Sequence, residues 1–131
     1  MNKLVEVKKV SEKKGRGVIA KRHLKKGTLI DVAHIILIPN HDYDIIQDTI
    51  LYDYIFEWDD PEYKGEYKAV IPLSIAQLIN HSYEPNVRYE YNYKKKTITF
   101  ITMKEIQKGE ELYVNYNGRT DDKSPVWFEV E

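Results

Sequence analysis

Three short clusters hold the residues best suited to chemistry. The first is Gly15-Arg16-Gly17. Glycine lacks a Cβ, so a backbone here can turn tightly or approach a ligand closely. Taken alone the pattern is also that of a plain turn, and it lacks the third glycine and following helix of a dinucleotide site. The second is Asn80-His81-Ser82-Tyr83-Glu84-Pro85-Asn86. The Asn80 amide both donates and accepts, and it directly follows an apolar segment that would hold it rigidly. Such a group suits recognition of an adenine edge or an amino-acid end. His81 read by itself is a hydrogen-bonded structural histidine, because His23, His34 and His41 do not stand at metal-ligand spacing. The third is Gly109-Glu110-Glu111-Leu112-Tyr113-Val114-Asn115-Tyr116. A tyrosine at the end of a strand can put its hydroxyl into a cleft, and Tyr113 and Tyr116 face opposite sides of a regular strand.

The elements that must position these clusters are mostly short strands. Val5, Val7 and Val10 start an edge strand, and Val18-Ile19-Ala20 forms another after the glycine turn. Thr28 to Ile38 is rich in β-branched residues and reads as one or two strands, stopped by Pro39-Asn40. Ile45, Ile46, Thr49, Ile50, Asp53 and Tyr54 fall near helical spacing and predict a short helix at about 45–54. Glu57 to Glu62 is an acidic loop, and Ala69-Val70-Ile71 is a strand. Pro72 then precedes Leu73 to Ile79, a short and mostly buried helix started by the proline. Val87 to Tyr93 and Thr97 to Met103 alternate strictly around Lys94-Lys95-Lys96 and make the clearest hairpin. The adjacent aromatics Trp127 and Phe128 imply that the tail docks onto the body, since termini otherwise fray.

Composition narrows the function classes. A chain of 131 residues is the size of one domain. It has no cysteine, which excludes disulfides, cysteine-based zinc sites, iron–sulfur clusters and cysteine nucleophiles. With 20 Lys+Arg against 21 Asp+Glu, it lacks the basic excess of a nucleic-acid binder. No apolar run approaches the ~20 residues of a membrane span, and the alternating N-terminus lacks a signal-peptide core. A cytoplasmic protein is expected. Eleven tyrosines suit a cleft that is part apolar and part wet.

The order and spacing of the three clusters, together with Lys25-Lys26-Gly27-Thr28-Leu29-Ile30, resemble the SET-domain protein lysine methyltransferases from about Val5 to Phe128. The likeness is strongest to the small stand-alone members found in viruses and bacteria. It implies a mainly β fold of several small sheets (β-clip-like) with short helices and a C-terminal pseudoknot. Residues 1–131 would form a single such domain with a helix and loop insert at about 40–66. The resemblance further implies that S-adenosylmethionine is the cofactor and that no metal is used. Arg16 and Gly17 would contact its methionine end through the backbone, Asn80 through its side chain and His81 mainly through its backbone. Tyr116 matches the family's active-site tyrosine and would orient a lysine amine for in-line methyl transfer. Trp127 and Phe128 would stand in for the missing C-terminal wall. One ring would lie over the adenine or beside a lysine channel formed by Tyr116, Phe128 and Tyr54, with Phe56 as a weaker candidate. The expected partner is a lysine-bearing protein or peptide, basic or histone-like, with no nucleic acid and no membrane. Two alternatives remain open: a catalytically weak SET-like module that binds a basic peptide, and a structural β-rich module whose tyrosine face binds a partner.

Overall fold

The computed structural model describes residues 2–63, 65–117, 119, 121–126 and 130. Its strands form three sheets among the described residues. The first sheet pairs β1 (Val5–Ser11) with β2 (Gly15–Ala20) in antiparallel fashion. Gly15 makes the turn between them at φ +72°, a left-handed conformation that only glycine adopts without strain.

The main sheet has the order β4–β5–β3–β8–β7. Its centre is β3, one continuous ten-residue strand (Leu29–Ile38). The hairpin of β7 (Val87–Asn92) and β8 (Thr97–Thr102) is as the alternation predicts. Val87, Ile98 and Phe100 from this hairpin are fully buried with Val18, Ala33, Val70 and Leu112. A side chain of this kind is worth ~1.5–3 kcal/mol when removed from water. The mainly β class with short helices is therefore the observed one.

The segment between β3 and β5 departs from the expected single helix. An α-helix, α1, covers Asn40–Ile46, and a separate 3-10 turn covers Ile50–Tyr54. The break falls at Thr49, which is extended and whose hydroxyl accepts from the Leu51 N–H at 3.2 Å. Neither piece has a buried residue, so no packed face holds the turns together as one helix. The strand β4 (Phe56–Glu57) follows.

Pro72 is a second correction. It lies inside β5 (Ala69–Leu73), opposite Ile35, and does not start a helix. The Ile35 N–H donates to Lys96 O on the β8 side, so the Ile35–Pro72 pair needs no amide from proline. β4 reaches only Ala69 and Val70, which leaves the other edge open at Pro72. The expected helix shrinks to a 3-10 turn at Ile75–Leu78, capped by Ser74, whose Oγ accepts from Ala76 N at 3.0 Å.

The third sheet is small and decides the site. β6 (Asn80–His81) pairs in parallel with β9 (Tyr113–Val114). The C-terminal segment also clasps the loop after β6. Ser82 N donates to Val114 O, Asn86 Nδ2 donates to Glu111 O, and the Tyr83 hydroxyl donates to Ser124 O.

Candidate functional site

Two backbone connections bring the three clusters together. Leu112 N donates to Val18 O at 2.8 Å and Ala20 N donates to Glu110 O at 2.9 Å, which fastens β2 to the Gly-Glu-Glu-Leu segment. The parallel β6–β9 pair then sets Asn80 opposite Tyr113 and His81 opposite Val114. Arg16, Gly17, Asn80, His81 and Tyr116 thus come from distant parts of the chain to one region.

Gly17 is buried because its neighbours need its space. A Cβ there would stand 2.6 Å from Glu111 Oε2 and 2.8 Å from Asn80 Nδ2. The Asn80 amide nitrogen donates to Arg16 O at 3.1 Å and to Glu111 Oε2 at 2.8 Å. The opposite oxygen of Glu111 accepts from the Tyr113 hydroxyl at 2.7 Å and from Lys14 Nζ at 2.8 Å. Burial alone would lower the Lys14 ammonium, but its bonds to Glu111 and Tyr113 outweigh this and hold it above 10.5. Burial is also the main reason that the Tyr113 phenol is pushed up.

His81 is buried, and its ring does more than its expected backbone role. Nδ1 accepts the backbone N–H of Tyr116 at 2.9 Å. That atom must be unprotonated to accept, and burial holds the imidazole below its ordinary 6.5. The rings of His81 and Tyr116 lie 5.2 Å apart. The Tyr116 hydroxyl donates to Ile79 O at 2.9 Å, so His81 and Ile79 grip Tyr116 at its backbone and its tip. Burial, reinforced by Tyr54 and Asp53, pushes the Tyr116 phenol far up. The site therefore favours the neutral phenol over the phenolate.

Tyr116 also lines a cavity of about 360 Å3. Tyr89, Tyr91 and Tyr93 form one wall, and Asp53, Glu57 and Asp59 bring acid to it; Lys68 and Arg119 partly offset that charge. Burial, with a smaller contribution from Glu57, pushes the Tyr89 phenol up to about 12. The wall is a row of phenol rings beside carboxyl side chains. Arg16, Gly17, Asn80 and His81 are not among its lining residues, so Tyr116 stands between two separate regions. Tyr54 lies close enough to act on Tyr116, yet the neighbouring lining residues are Tyr52, Asp53 and Ile55; Phe56 does line the cavity. Trp127 and Phe128 lie outside the described residues.

The sequence suggests the tyrosine face of the hairpin only as the partner-binding surface of the structural alternative, and it suggests no role for the Glu111 side chain. The signal for the tyrosines was their shared hairpin face. The signal for Glu111 was its place in Gly-Glu-Glu-Leu, but its partners Lys14 and Asn80 are visible only in the fold. No group of three or more potential metal-binding residues occurs among the described residues. Among the described residues, no helix is long and apolar enough to cross a membrane.

Known proteins resemble this chain in sequence and in fold. The model of the SET domain family matches residues 15–117. A Schizosaccharomyces pombe protein named histone-lysine N-methyltransferase, H3 lysine-37 specific, is 29% identical over 122 residues, covering 92% of this chain and 75% of its own. The solved structure of a candidate histone methyltransferase from Plasmodium falciparum superposes with a TM-score of 0.62 at 24% identity, over 88% of this chain and 95% of that one. A chain of an active polycomb repressive complex 2 in its stimulated state gives a TM-score of 0.67 at 23% identity; 88% of this chain matches 15% of that one. At these identities the two structures speak for the fold.

Proposed function

We propose, for a chain that belongs to the SET-domain family and is a protein-lysine N-methyltransferase, that the methyl donor is S-adenosylmethionine. The acceptor would be a lysine of a basic protein segment entering the tyrosine-lined cavity. The observation that carries this is Tyr116, which joins that cavity on one side to the Asn80–His81 strand on the other.

The residues around Arg16 and Asn80 fit such a donor. The Arg16 carbonyl, the Asn80 amide and the Glu111 carboxylate form an acceptor-rich set, suited to a ligand with an ammonium, a sulfonium and an exocyclic amine. Arg16, Gly17, Asn80 and His81 would hold it. When bound, S-adenosylmethionine supplies a methyl group on a positively charged sulfur that is a good leaving group.

The chain's own work is to align and to desolvate. A phenol oxygen accepts as well as donates, so Tyr116 can accept an N–H of the incoming amine while its own O–H keeps donating to Ile79 O. Fixing two reactants in line can supply ~7–11 kcal/mol of a barrier. The amine must be neutral, and free lysine titrates near ~10.4. Phenol walls take the apolar stem and the cationic head together, and their low polarity disfavours the ammonium. The carboxylates of Asp53, Glu57 and Asp59 draw the cation in, and its proton leaves to solvent. The same proposal sets the protein in the cytoplasm, where a chain without cysteine needs no disulfide chemistry.

The test is incubation of the pure protein with methyl-labelled S-adenosylmethionine and a lysine-rich histone mixture. Label recovered as methyllysine supports the proposal. Absence of ligand binding by calorimetry at millimolar S-adenosylmethionine overturns it. Binding without any transfer, here and to lysate proteins, would favour the non-catalytic peptide-binding module.

A further inference from the structure

Glu111 touches every cluster of the site. Its carboxylate is divided between two tasks. Oε2 accepts from Asn80 Nδ2 at 2.8 Å. Oε1 accepts from Tyr113 and from Lys14, whose ammonium also donates to the Tyr113 hydroxyl at 2.9 Å and lies 4.9 Å from that ring. The Glu111 side chain is only 9% exposed, so it cannot swing into water without breaking its partly buried ion pair with Lys14 and its bond to Asn80.

The consequence falls on Asn80. A carboxylate and a backbone carbonyl can only accept, so the atom facing both Glu111 and Arg16 must be the amide nitrogen. Its donor capacity is taken up by the protein. The carbonyl oxygen Oδ1 is left with no hydrogen bond among the described residues.

We propose that Glu111 is the positioning residue of the cofactor site. It fixes the Asn80 amide in one orientation, so that Asn80 offers the ligand an acceptor and selects an N–H donor such as an ammonium or an exocyclic amine. The inference rests on the cofactor reading above. It explains why a glycine stands at position 17, since any side chain there would displace both members of the pair. It also gives Lys14 and Tyr113 a task. They hold the far oxygen of Glu111, so that its near oxygen stays aimed at Asn80.

A double-mutant cycle in the full chain tests this, read by calorimetry with two probes, S-adenosylmethionine and S-adenosylhomocysteine. The two share the ammonium and the adenine, but only the first carries the sulfonium charge. Glu111→Gln should weaken both probes by the same factor, about 10-fold, with the melting temperature of the ligand-free protein recorded alongside. In the Asn80→Ala background it should add less than about 3-fold, because residues that act through one another are not additive. Three results overturn the proposal. In the first, Glu111→Gln leaves both affinities at the parent value. Its effect can multiply with that of Asn80→Ala. A loss confined to S-adenosylmethionine would instead mean simple charge attraction by the carboxylate. A parent protein that binds neither probe refutes the cofactor reading itself and is thereby distinguished from a failure of the Glu111 assignment.

Discussion

The backbone nitrogen of Tyr116 donates to His81 Nδ1 over 2.9 Å. The tyrosine proposed to orient the reacting amine is therefore held by an imidazole that must remain unprotonated on that atom. Burial keeps the His81 pKa below 6.5. As pH falls, the unfolded chain takes up this proton first. His81 therefore contributes its full stability above about 6.5, and the contribution declines as pH drops toward the folded-state value. The melting temperature should fall from pH 7 to pH 5, and turnover should fall with it. His81→Asn keeps an acceptor near the same place without the titration, so its curve should be flatter. Identical slopes for parent and variant would remove His81 from the pH response.

Tyr116→Phe keeps the ring and removes the hydroxyl. Ile79 O loses its donor, at a stability cost of ~1 kcal/mol, and cofactor affinity should be unchanged. The loss should appear in kcat, by at least ~10-fold, because the hydroxyl acts on the reacting amine. Single-turnover rates with cofactor already bound check this. A rate equal to the parent's would mean that Tyr116 only packs.

Tyr113→Phe should behave differently. Its hydroxyl is a partly buried structural donor to Glu111 and acceptor from Lys14. The variant should weaken cofactor binding by ~3–10-fold, within the ~0.5–1.5 kcal/mol range of a typical single hydrogen bond. Turnover at saturating cofactor should stay near the parent's. A kcat loss matching that of Tyr116→Phe would point to general damage.

Gly17→Ala adds one methyl where Glu111 Oε2 would be 2.6 Å away. Overpacking of this kind costs ~1–3 kcal/mol. The melting temperature should drop modestly while cofactor affinity drops more steeply, because the displaced groups are Glu111 and Asn80. Full affinity in a folded variant would show that the pair can shift without consequence.

Glu57→Gln removes one carboxylate from the cavity lining. The KM for a basic lysine peptide should rise by a few-fold at low salt, and the difference should shrink as salt screens the charge. Assays at two ionic strengths decide it. No change at low salt would leave the acidic wall without a part in substrate capture.

The clusters were legible because their residue types are unusual in series, and the β class followed from strict alternation such as Val87 to Tyr93. Their meeting was not legible. It depends on β2 bonding to Glu110 and Leu112 and on a parallel pair between β6 and β9, contacts between distant residues that no local pattern encodes. The helix expected at 45–54 failed for a related reason. Its periodicity was present, but no neighbouring surface buried it. Pro72 looked like a helix start because the open sheet edge that tolerates it is a property of β4's length. The cavity needed the hairpin tyrosines and the acidic loop to face each other, which required the order of the whole sheet.

The most direct measurement is the fate of the methyl group. Pure protein is incubated with methyl-labelled S-adenosylmethionine and a cell lysate, the proteins are hydrolysed, and the labelled amino acids are separated. The arrangement of Asn80, His81 and Tyr116 predicts label in methyllysine, strongly reduced in the Tyr116→Phe protein. Label in methylarginine, equal label with both proteins, or none above a no-enzyme control would contradict it.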